Sequence, residues 1–154
     1  MNTDLQGSSG AASLGEVKIT TVLRVEHRLL RVMMEAMSNW LAKAPASAGA
    51  AMRERVSLLA VALETHAIRE EKHLFAQLRP LSESARHLVD MMVIVHDEVR
   101  GLFEEIETMD NPKENIWTIL DITETHFVRE DEEVFPLAEE LLLPELLVEL
   151  AAQD

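Results

Sequence analysis

Imidazole nitrogen and carboxylate oxygen recur together in this chain at one spacing: His66 precedes Glu70 by four residues, and His126 precedes Glu130 by four. On a helix, side chains four apart share a face about one turn apart, so each pair aims a nitrogen and an oxygen donor the same way. That is a metal-ligand spacing. One such pair is commonplace on a solvated helix, but here each opens a twelve-residue repeat. His66-Ala-Ile-Arg-Glu70-Glu71-Lys-His73-Leu-Phe75-Ala-Gln77 reads against His126-Phe-Val-Arg-Glu130-Asp131-Glu-Glu133-Val-Phe135-Pro136-Leu137. The chain has no cysteine, which removes thiolate sites, disulfides and catalytic thiols and leaves nitrogen and oxygen donors for any metal. Such donors suit iron first, then manganese, with zinc as a redox-silent option.

The elements that must position these donors show in the apolar periodicity. Ile19, Leu23, His27, Leu30, Met34, Met37 and Leu41 alternate steps of four and three and predict a helix over 16–43. Turn residues at 45–49 end it. A second stripe, Met52, Val56, Leu59, Leu63, His66, Glu70, His73 and Gln77, predicts a helix over 49–78. Ser82 or Ser84 is placed to cap a third, whose stripe runs Ala85, Val89, Met92, His96, Val99, Phe103 and Ile106. After Asp110-Asn111, with Pro112 just inside the start, the fourth carries Ile116, Ile119, Thr123, His126, Glu130, Glu133, Leu137 and Leu141. Pro136 should kink this helix or end its regular part. A short apolar segment at 146–151 is expected to fold as a half-helix over the bundle end or in a partner contact. The expected fold is all-α, an up-down-up-down antiparallel four-helix bundle with a short C-terminal helical segment. Residues 1–15 read as a flexible tail and 16–154 as the domain.

Consecutive helices that fold back on each other bring two residues to one height when the turn lies halfway between them. Halfway between His27 and His66 lies the 45–49 turn; halfway between His66 and His96 lies Leu81; halfway between His96 and His126 lies Asn111. All four histidines should therefore share one layer, with Glu70 and Glu130 one turn along. Burying these groups uncompensated costs several kcal/mol per charge, and a bound cation is the economical solution. Six donors, His27, His66, Glu70, His96, His126 and Glu130, suit two metal ions with both glutamates bridging. His73 and Glu133 sit at equivalent stripe positions as ligands, ligand supports or walls of an access path. His87 falls off the stripe and should lie at the surface. Glu71 and Asp131 are expected as solvated charges or as hydrogen-bond partners of a ligand, and Arg69 and Arg129 as surface ion pairs.

A formal net charge of -14 argues against nucleic acid or an anionic membrane as partner. No run approaches ~18 apolar residues, and the start lacks a leader pattern, so a cytoplasmic location is expected.

The His27-Arg-Leu-Leu start, the two repeats and His96 together resemble the hemerythrin-like, HHE cation-binding family over residues 17–140. The resemblance implies a carboxylate-bridged di-iron centre with an oxo, hydroxo or water bridge, taking up dioxygen, nitric oxide or peroxide. Oxygen-carrying members have His-x-x-x-His on the third helix, where this chain has His96-Asp-Glu-Val-Arg100. They also place an Asp five residues after the fourth-helix histidine; Asp131 stands there, but Glu130 matches the other repeat and lies on the stripe. Three functions follow: an oxygen or nitric oxide carrier or sensor, an enzyme reducing nitric oxide or decomposing peroxide, and an iron-holding bundle. A redox or signalling partner would supply electrons or read the signal.

Overall fold

The computed structural model describes residues 16–153, so the tail expected over 1–15 lies outside them. Among the described residues there is no strand. Helix α1 spans Ile19–Lys43, with the whole apolar stripe and His27 buried. A 3-10 turn (Ala46–Ala48) leads to α2 (Gly49–Arg69). This helix runs on into a π-helical stretch (Glu70–Phe75) and a last turn (Ala76–Leu78). Ser82 caps α3 (Glu83–Ile106), its hydroxyl oxygen accepting from the Ala85 amide at 3.0 Å. Next, α4 (Lys113–Arg129) passes into a second π stretch (Glu130–Val134) and a final α segment (Phe135–Leu141). Pro112 stands one residue before α4, at its cap position. A short α5 (Pro144–Ala151) packs on α1 and buries Leu147 and Leu150.

Helix α1 packs on α2 and α4, and α3 packs on α2 and α4, an arrangement consistent with a four-helix bundle. Two apolar cores form. One gathers Leu30, Met34, Met52, Leu59, Ile116 and Phe127 among others; the second gathers Leu23, Leu74, Leu78, Met92, Phe135 and Leu147. In α1, His27 lies between the residues of the second core and those of the first, and in α2 His66 and Glu70 lie between the first and the second. The polar groups thus sit where the two cores meet. At the far end, Gly49 lets the backbone of the α3–α4 connection come close: a Cβ there would lie 1.8 Å from the Asp110 carbonyl oxygen.

Both π stretches start at the glutamate of a His-x-x-x-Glu pair. A π turn closes i→i+5 and holds one residue more than an α turn, so beyond it the inward face moves on by one position. The expected stripe is corrected accordingly. Gln77, Glu133 and Leu141 are exposed, and Leu74, Leu78, Val134, Ala138 and Leu142 are buried in their place. Pro136 does lie in the first turn of the closing α segment. It is not the cause of the transition, because α2 makes the same one with Ala76 at the equivalent position. No helix among the described residues is long and apolar enough to cross a membrane.

Candidate metal centre

The helices bring all six expected donors together, and all six are buried. Ligand-capable atoms of His27, His66 and Glu70 lie within 4.8 Å of one another, and so do those of Glu70, His96, His126 and Glu130. Glu70 belongs to both groups. Its Oε1 faces His66 Nε2 at 3.0 Å and His27 Nε2 at 3.7 Å, while its Oε2 faces His96 Nε2 at 3.3 Å. Glu130 belongs to one group, with Oε1 against His126 Nε2. The Nε2 atoms of His96 and His126 stand 2.8 Å apart.

Carboxylates on neighbouring helices fix three of the rings. His27 Nδ1 donates to Asp131 Oδ1 at 2.9 Å, His66 Nδ1 to Glu26 Oε2 at 2.6 Å, and His96 Nδ1 to Glu71 Oε1 at 2.7 Å. A carboxylate only accepts, so the hydrogen is on Nδ1 and a neutral ring turns its Nε2 lone pair inward. In a neutral ring that lone pair meets the oxygens of Glu70, which are acceptors as well, whereas a protonated His66 turns an Nε2 hydrogen toward Glu70 Oε1. His126 differs: its Nδ1 has no partner.

The charge pattern follows from this crowding. Burial opposes protonation of His66, but Glu70 and Glu26 outweigh it and raise its pKa to about 9. Burial also works against ionised Glu70, yet His66, together with Glu130 and His27 beside it, outweighs burial and holds the carboxyl well below its usual range. Glu130 is pushed well above that range, first by burial and then by the charge of Glu70. Burial, followed by His96, lowers His126 to about 3.

The residues fit a divalent cation. His27 Nε2, His66 Nε2 and both oxygens of Glu70 and of Glu130 are buried without a hydrogen bond, even though several lie near one another. Close approach without alignment satisfies neither partner, and buried polar atoms left this way cost about 1–3 kcal/mol each. Inward lone pairs with outward carboxylate support are what a cation held by histidine requires.

Phe75 stacks on His96 with ring centroids 5.9 Å apart, and Phe135 leans on His27 at 5.3 Å, which accounts for the phenylalanine in each repeat. His73 is buried but stands outside both groups, its Nδ1 meeting Gln153 Oε1 at 3.1 Å. Glu133 is exposed and pairs with Arg129 at 3.0 Å, and His87 is exposed as expected. Arg69 pairs with Glu26 at 3.1 Å. Sequence reasoning missed Glu26. The turn that levels His27 with His66 also levels Glu26 with His66, and that signal was there to be read.

A cavity of about 40 Å³ opens between α2, α3 and α4 beside His66, His96 and His126. Leu63, Ala67, Val99, Phe103 and Phe127 make most of its wall apolar, and the Glu64–Arg100 pair also borders it. Thr123, 4% exposed, also lines it, and its Oγ1 has no partner. At ~10–15 Å³ for one water-sized probe, there is room for a molecule of two or three heavy atoms.

An all-helical fold around a buried cluster of nitrogen and oxygen donors defines a cation-binding helical domain. The profile of the Hemerythrin HHE cation binding domain matches residues 18–138, and the chain belongs to that family. Comparison with curated proteins and with solved structures gave no match.

Proposed function

We propose that this chain is a di-iron protein that takes up dioxygen, nitric oxide or peroxide as a carrier or sensor, with His27, His66, Glu70, His96, His126 and Glu130 as the ligands. The observation that carries this reading is Glu70, whose two oxygens face histidines of two separate donor groups. A carboxylate so placed is suited to join two ions. Membership of the cation-binding family and an all nitrogen–oxygen donor set favour iron. Two ligand histidines on each side leave coordination positions free, through which an iron pair would bind and exchange electrons with a small molecule.

The chain's own residues do the rest. Asp131, Glu26 and Glu71 hold the rings of His27, His66 and His96 in one tautomer. The largely apolar wall of the cavity disfavours water, and Thr123 Oγ1 is free to donate to a guest. The antiparallel up-and-down order also belongs to this reading. Glu64 with Arg100, Glu71 with His96 and Arg79 with Asp90 ascend α2 to the turn that follows it while descending α3. Arg24 with Glu139 and Arg31 with Glu124 do the same for α1 and α4. Residues 16–154 would act as one domain, with a partner protein as electron source or signal reader.

The test is metal analysis of the purified chain, then absorption spectra of the reduced form with each gas and with peroxide. About two irons per chain and a reversible adduct are expected. Fewer than two metals would sink the dinuclear site, and rapid turnover of peroxide or nitric oxide would replace the carrier or sensor by the enzyme.

A further inference from the structure

We infer that Arg31 and Arg100 are positioning residues of the centre, each holding, through one carboxylate of a neighbouring helix, the ring of the histidine four residues before it on its own helix. The inference rests on the metal-site reading above. In α1, Arg31 Nη1 meets Asp131 Oδ2 at 3.1 Å, and Asp131 Oδ1 accepts from His27 Nδ1 at 2.9 Å. In α3, Arg100 Nη1 meets Glu71 Oε1 at 3.0 Å, and the same oxygen accepts from His96 Nδ1 at 2.7 Å. Each arginine is then anchored at Nε by a second carboxylate: Arg31 by Glu124 at 3.0 Å and Arg100 by Glu64 at 2.8 Å.

The two sets match position for position. Both arginines stand four residues after a histidine, both inner carboxylates directly follow a site glutamate, and both anchors lie seven residues before the inner carboxylate. The repeat therefore starts earlier than His66 and His126, at Glu64-Thr65-His66 and Glu124-Thr125-His126. An arginine–carboxylate pair at a surface contributes little by itself. Here the carboxylate is also committed to a buried imidazole, so fixing its rotamer fixes the ring.

Within each set the carboxylate and the arginine have opposite effects on the histidine as a ligand. A carboxylate that accepts the Nδ1 hydrogen makes Nε2 a stronger donor, and an arginine on that carboxylate draws charge from it and moderates the effect. Removing the carboxylate should weaken the histidine as a ligand; removing the arginine should strengthen it.

The experiment compares the full chain with Glu71→Gln, Asp131→Asn, Arg100→Gln and Arg31→Gln. Arg79→Gln is the control, since Arg79 pairs with Asp90 at the surface. Metal content of the wild type comes first: without about two metals per chain the site reading fails and takes the inference with it. In the iron-loaded protein, the midpoint potential is expected to rise in the two carboxylate variants and to fall in the two arginine variants. Zinc affinity of the carboxylate variants should drop ~10–100-fold. Shifts of one sign throughout, or none beyond the control, overturn the inference while leaving the site intact.

If a variant does not fold or does not hold iron, the zinc-loaded wild type and the folded arginine variants still decide by nitrogen-resolved NMR. Slowly exchanging Nδ1 hydrogens on His27 and His96, quickened in Arg31→Gln and Arg100→Gln respectively, are expected. Absence of these signals, or exchange indifferent to the arginines, overturns it.

Discussion

The α1–α2 half of the centre and the α3–α4 half use the same residue types, yet they hold their histidines and carry their charge differently. In the first half His66 is held by Glu26, one residue before His27. The matching position before His96 is Val95, and His126 has no partner at Nδ1. The charges divide along the same line: His66 is raised to about 9 and Glu70 lowered, whereas His126 is lowered to about 3 and Glu130 raised. Val95 lines the cavity with His66, His96 and His126, whereas Glu26 does not. A carboxylate at one position and a valine at the matching one thus leave one histidine of the repeat held and the other not, and the charge divides unequally because two glutamates in one dry layer cannot both carry charge at low cost.

Several measurements would break or sharpen that contrast. The largest effect should come from the donors themselves. His27→Ala and His96→Ala should each lose metal by elemental analysis, while the exposed His87→Ala keeps the wild-type content; equal metal in His96→Ala and His87→Ala would dissolve both halves at once.

Next in size is pH. In the metal-free protein the stabilisation from protonated His66 is complete below its unfolded value of ~6.5 and is lost as pH rises through about 9. Denaturant unfolding should show a fall of up to about 3 kcal/mol across that window. A flat profile there would remove the charged clamp.

The two glutamates should then part company. Glu70→Gln should cost the metal-free fold about 1–3 kcal/mol, because it takes the charge facing His66, while Glu130→Gln, replacing a carboxyl that burial and Glu70 push toward its neutral form, should cost under about 1 kcal/mol. Equal costs would mean that the halves share their charge evenly.

The smallest change is expected from Val95→Glu, which offers His126 the partner that His66 has. A gain in zinc affinity of up to ~10-fold, with a new slowly exchanging His126 Nδ1 hydrogen, would show that one position sets the difference. No new signal would place the cause elsewhere.

How much of this was legible in the chain differs from residue to residue. That these six residues cluster could be read from spacing and turns, since a four-residue step fixes a helix face and the turn positions fix the height. A cap at Ser82 or Ser84, which the structure places at Ser82, and His87 as a surface residue followed from equally local rules. The stripes beyond Glu70 and Glu130 could not be read the same way: extrapolating a period of 3.6 put Gln77 and Glu133 inside, and the π turns moved Leu78 and Val134 there instead. Glu71 and Asp131 had two open readings, and each proved to be the hydrogen-bond partner of a histidine from another helix.

The sequence by itself determined which groups exist and which face of each helix they share, because both depend on neighbours a few residues apart. Only the tertiary structure decided which carboxylate meets which ring, that Glu70 faces both groups while Glu130 faces one, and that the cavity opens beside His126. Those contacts join residues from different helices, and their balance of charge depends on distances across the buried layer that no local period encodes.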